Sequence, residues 1–174
     1  MSNVLIGIIG VILFIGLALA GALFLGPRFQ ESANTSKASA MSSSLAQVAQ
    51  AVEMYRVQEG TDPPSTTTLS AIVPGYIKAI PPSGGMGTGN WYALDGDGDP
   101  AGKTRWIVLS VVDDGTGRAK SACAAVAKNA GTATSGGLAP VLEKPQGTFG
   151  CYQYEGSWGY SKGLIGNWHF FHRV

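Results

Sequence analysis

The sequence predicts an α+β fold in which a long N-terminal helix, transmembrane in its first half, packs on a C-terminal antiparallel β-sheet. Three observations lead there. Val4 to Gly26 is a run of 23 residues with no charge and no strongly polar side chain. Met41, Leu45, Val48, Val52 and Tyr55 then recur at spacings of four, three, four and three, which is one face of a helix. Beyond Pro64 the chain turns to short β-branched and aromatic runs separated by Gly, Pro and Asp clusters.

The first element is set by its apolarity. At about 1.5 Å per residue a helix of this length spans roughly 34 Å, enough for a hydrocarbon core of about 30 Å. In lipid every backbone N–H and C=O must be bonded within the segment, so such a run is helical there. Gly7, Gly10, Gly16, Gly21 and Gly26 recur along it, and small residues let helices approach closely or bend. Ala18-Leu19-Ala20 also offers the small-x-small pattern of a cleaved secretory signal. The run continues six residues past Ala20 with no Lys or Arg ahead of it, which favours a retained span. A buried soluble helix fits less well, because the run is apolar on every face.

After Pro27 the pattern becomes amphipathic, with Gln47, Gln50, Glu53 and Arg56 largely off the apolar stripe. Gly60 and Pro63-Pro64 end it, so residues 4–59 read as one nearly continuous helix with Pro27 at the junction. The division of the chain is then 1–27, a transmembrane helix, and 28–174, a globular domain that includes the amphipathic half.

The rest follows in order. Leu69 to Val73 reads as a short helical turn, and Pro81-Pro82 with Gly84–Gly89 as a loop. Trp91–Leu94 and Trp106–Val112 read as strands joined by a loop. Arg118–Asn129 reads as a short Ala-rich helix, residues 130–147 as a loop, and Phe149–Glu155 with Trp168–Val174 as two more strands. Three or four antiparallel strands need an apolar partner, and the stripe of the amphipathic half-helix supplies one.

Composition narrows the function. Charged residues are 13% of the chain, against roughly 25% in an average soluble protein. The formal net charge is +1, and no Lys/Arg cluster marks a nucleic-acid site. The two cysteines, Cys123 and Cys151, read as one disulfide in an exported chain and as two buried thiols in a cytosolic one.

Candidate chemistry is sparse. Asp95, Asp97 and Asp99 alternate as in the first half of a calcium loop. Pro100 stands where that loop needs Gly and Trp106 where it needs a bidentate Glu, so calcium binding is expected to be millimolar at best. Asp and Gly also simply make turns. His169 and His172, three apart in a strand, point to opposite faces and do not converge on a metal. No Cys-x-x-Cys, Gly-x-Ser-x-Gly or phosphate loop is present. Four Trp and six Tyr, mostly C-terminal, read as core before ligand surface.

An apolar N-terminal helix running into Ala46-Gln47-Val48-Ala49-Gln50-Ala51-Val52-Glu53-Met54-Tyr55, then Gly60, Pro64 and Tyr76-Ile77-Lys78-Ala79-Ile80-Pro81, resembles the type IV pilins and pseudopilins. Trp106-Ile107-Val108-Leu109-Ser110-Val111-Val112, a short helix with Cys123 and a late second Cys resemble the type IVb subgroup. That subgroup holds the toxin-coregulated and bundle-forming pilins and the thin-pilus pilins of conjugative plasmids. Met1 as first mature residue would suit it. The likeness covers nearly the whole chain, in layout more than in any single motif.

The resemblance implies a pilin-like αβ-roll and a disulfide between Cys123 and Cys151. It implies no enzymatic activity and no cofactor. It implies storage in a bacterial inner membrane, extraction by a pilus assembly machinery, and a cell-surface helical filament of identical subunits. Val4, Leu5, Ile8, Ile12, Phe14, Leu17, Leu23 and Phe24 would form the filament core. The alternative within this likeness is a minor pilin or adhesin anchored in the membrane. A secreted enzyme with a cleaved signal is a more distant reading. Two features depart from the family. Leu5 stands where it usually carries Glu, with no acidic residue before Glu31, and no basic leader ending in Gly precedes the span. Arg28 and Lys37 follow the span, where the positive-inside rule would place them in the cytoplasm, while the disulfide places them outside.

Overall fold

The computed structural model describes residues 2–63, 69–82, 89–95, 104–112, 114–142, 145–155 and 166–174. Helix α1 runs Ser2–Glu59, helical through Pro27. A 3-10 turn, Ser70–Ile72, follows. Strands β1 (Gly89–Asp95) and β2 (Thr104–Val111) precede helix α2, Arg118–Asn129. Strands β3 (Val141–Leu142), β4 (Phe149–Tyr154) and β5 (Trp168–Arg173) complete the chain. The fold is α+β, as the pattern predicts.

By its contacts the chain forms two compact units, Met1–Asn34 and Thr35–Val174, where the sequence pattern divides it after residue 27. In the first, the described helical side chains from Val4 to Ala33 are almost all exposed. It belongs to the one helix among the described residues long and apolar enough to cross a membrane.

The second unit is built on a five-stranded sheet ordered β1-β2-β5-β4-β3. Every pair is antiparallel except β3–β4, where Val141 and Leu142 run parallel to Gln153 and Tyr154. This corrects two expectations. The described residues form five strands in place of three or four, and the stretch 130–147 contributes one of them. Gln153 N–H donates to Pro140 C=O and Glu155 N–H to Leu142 C=O, so this edge is held by non-local bonds that no local pattern announces.

Register divides the strand residues between two faces. Trp91, Ala93, Ile107, Leu109, Val111, Cys151, Trp168 and Phe170 share one core with the α1 stripe Met41, Leu45, Val48 and Val52. Ala119, Ala122, Cys123 and Val126 of α2 join it, and α2 lies against β4 and β5. The opposite face has its own layer of Val108, Tyr152, Tyr154 and Phe171, with Tyr92, Trp106 and Leu142 at its margin. The sheet is therefore buried on both sides, where the pattern had required one. The C-terminal end of α1 is fixed by Gly60, at φ 68°, whose N–H donates to Arg56 C=O. Arg56 pairs with Asp62 beyond the helix, and Tyr76 hydroxyl donates to Glu59 at 2.8 Å.

Candidate functional site

The candidate site is the exposed apolar surface of α1. Val4, Leu5, Ile8, Ile12, Phe14, Leu17, Leu23 and Phe24, the residues expected to form an assembly core, stand between 56% exposed at Ile8 and 79% at Phe24. Ile6, Ile9, Val11, Leu13, Ile15 and Leu19 are exposed as well. Burying one such side chain yields about 1.5–3 kcal/mol, so a contiguous apolar surface of this extent requires a cover. The helix forms here because its residues are apolar, its glycines are spread singly, and Pro comes only at its junction.

The two cysteines meet. Cys123 of α2 and Cys151 of β4 form a disulfide with Cα atoms 5.3 Å apart, and both are buried. The bond ties α2 to β4, the neighbour of the central strand β5, whose Phe170 pairs with Cys151.

The acidic loop gives less. Asp95 closes β1 in the backbone, and Asp97 and Asp99 lie outside the described residues. Among the described residues no group of three or more His, Cys, Asp or Glu gathers into a metal site.

The histidines occupy opposite faces. His172 pairs in register with Ile107 and Phe149, on the face toward α1. His169 pairs with Ser110 and Tyr152 on the other face and is fully buried. Its Nε2 lies 3.0 Å from Ser110 Oγ. The ring stacks on Tyr154 at 4.9 Å and meets the Tyr152 edge at 5.3 Å. Burial pulls its pKa down to about 3, so the imidazole is neutral at physiological pH. A Ser–His pair at this distance can activate a nucleophile where substrate reaches it. Here Ser110 is buried too, and the contact serves the core.

Sequence reasoning missed a groove of about 530 Å³ between the second half of α1 and the end of β5. Ala46, Ala49, Gln50, Glu53 and Met54 form one wall, and His172, Arg173 and Val174 the other. The signal available was Met54 and Val57, apolar residues off the buried stripe, which stand exposed.

No protein-family model, curated protein or solved structure matches this chain.

Proposed function

We propose that the protein is a structural subunit of a type IV pilus-like extracellular filament, anchored in the inner membrane by residues 4–26 before assembly and packed through the same residues afterwards. The observation that carries this reading is the apolar helix surface itself, exposed at the described large apolar side chains from Val4 to Phe24. Among the described residues the buried core begins at Ala38, and the N-terminal side chains are left for lipid or for other copies. Gly7, Gly10, Gly16, Gly21 and Gly26 support the second cover. A Cβ placed at any of them meets nothing of the same chain within 4 Å, and small residues are what close helix–helix approach requires. The role is structural rather than catalytic, and assembly draws on machinery supplied by other proteins.

Within the apolar segment 4–26, register between copies then rests on shape, because Leu5 offers no charge to a neighbour. Filaments on cells expressing the intact chain, and its share of their mass, test the reading. Leu5→Glu is not required for assembly. Ile12→Asp abolishes filaments at unchanged expression, since an unpaired buried charge costs several kcal/mol. Normal filaments from Ile12→Asp, or from a chain lacking residues 4–26, would refute the proposal. A trace share of filament mass would identify a minor pilin instead.

A further inference from the structure

We infer that Phe29 of one copy, flanked by Arg28 and Glu31, docks into the groove between α1 and β5 of a second copy, joining copies head to tail. The inference rests on the filament reading and names one contact within it.

Phe29 is the last large apolar side chain exposed on α1 before Met54, at 70%. It lies beyond Gly26, where the uncharged run has ended, with Arg28 before it and Glu31 two residues after it. A bilayer core accounts for residues 4–26 and does not account for an exposed Phe between Arg28 and Glu31. These two charges stand one helical turn apart with N···O 3.7 Å, and both are well exposed.

The groove carries the complementary set. Its α1 wall is small and apolar at Ala46 and Ala49 and carries Met54, and Val174 lines the opposite wall. One carboxylate, Glu53, rises from the α1 wall and one guanidinium, Arg173, from the β5 wall. In residues 1–60 the chain has six charges, Arg28, Glu31, Lys37, Glu53, Arg56 and Glu59. With charges this sparse, one of each sign beside the exposed Phe and one of each sign beside the groove form a matched set, Arg28 to Glu53 and Glu31 to Arg173. Glu53 already pairs with Arg56 at 2.6 Å. Arg56 is also held by Asp62, so Glu53 can turn to a neighbour without leaving Arg56 bare. Rim charges of this kind set register and reject wrong pairings more than they add affinity.

Knob and groove occupy different stretches of the chain. The contact is therefore heterologous, and a heterologous contact that does not close propagates an open helical assembly.

The test is cross-linking in cells expressing the full chain with Phe29→Cys and Met54→Cys together. The expected result is a ladder of dimers, trimers and higher species on non-reducing gels, absent from either single variant. Dimers from Phe29→Cys alone would overturn the head-to-tail contact. So would the absence of cross-links in a double variant that assembles as many filaments as the unmodified chain. That outcome leaves the filament reading standing and assigns Phe29 to the lipid interface. If the unmodified chain forms no filaments, the filament reading falls and this contact with it. Charge reversal gives a second readout. Arg28→Glu or Glu53→Arg alone cuts filament number by about tenfold or more, the equivalent of about 1.4 kcal/mol, and the two together restore it. Failure of the pair to restore filaments that each single change has removed would overturn the proposed pairing.

Discussion

His169 shows how one buried residue gives the molecule a pH dependence. In the unfolded chain its imidazole takes a proton near pH 6.5, whereas in the folded chain burial holds that pKa at about 3. Between those values the unfolded state binds more protons, so stability falls as pH drops from 6.5 toward 3. From pH 7 to pH 5 the loss is about 2 kcal/mol. Ser110, Tyr152 and Tyr154 face the ring, and none of them is charged in this range. Asp114 is held below the usual carboxylate range by the Thr116 hydroxyl and amide, so its contribution is lost only as pH falls below about 4, outside the interval from pH 7 to pH 5. Thermal melts of the full chain in detergent at the two pH values check the prediction. His169→Phe should shrink the difference, although leaving Ser110 without its ring partner lowers stability at both values. Gly150 makes a second residue-scale case. A Cβ there would lie 2.9 Å from Phe171 Cζ, and Phe171 is buried. Gly150→Val should cost about 1–3 kcal/mol through displacement of that ring, read as a lowered denaturant midpoint.

At the scale of elements, α2 and α1 are held by different means. The closed loop between Cys123 and Cys151 spans 28 residues, so losing the disulfide releases about 3.6 kcal/mol of unfolded-chain entropy. Replacing both cysteines by Ala should lower the denaturant midpoint accordingly. Neither sulfur should alkylate, in the native or the unfolded protein, until a reductant is added, because the two are bonded to each other, and intact mass with and without reductant reads this directly. α1 is held by its stripe. Leu45 is fully buried in the core shared with Ile107 and Leu109. Leu45→Ala should cost about 2–5 kcal/mol, while Gln47→Ala on the exposed side should change stability little. The stripe and α2 were legible because a 3.6-residue period is local: Met41 to Tyr55 carry it, and α2 spans the residues its Ala-rich run marks out. β3 was not. Val141 and Leu142 become a strand through Gln153 and Tyr154, and nothing in Pro140-Val141-Leu142 specifies that pairing.

At the scale of the whole molecule, the two units have different requirements. Among the described residues the buried core begins at Ala38, so a chain lacking residues 4–26 should fold, stay monomeric without detergent, and melt within about 3 °C of the full chain. Size-exclusion chromatography and melting curves check both parts. Aggregation of the shortened chain with loss of its cooperative melt would show that the N-terminal helix is needed for the fold as well as for assembly. The apolar surface of residues 4–24 was plain from composition, since a run apolar on all faces cannot be satisfied by one small domain. The groove was not, because its walls lie more than a hundred residues apart in sequence, with Glu53 on one and Arg173 on the other.

The sequence alone determined the long helix, its change from all-round apolar to one apolar stripe, and four of the strand runs. Each is a local or compositional property. The tertiary structure alone decided that the C-terminal strand β5 inserts between β2 and β4. That placement buries His169 and Phe171 on a second face and brings Arg173 across from Glu53. Strand order depends on which distant backbones exchange hydrogen bonds and which faces exclude water together, and neither is written in the spacing of neighbouring residues.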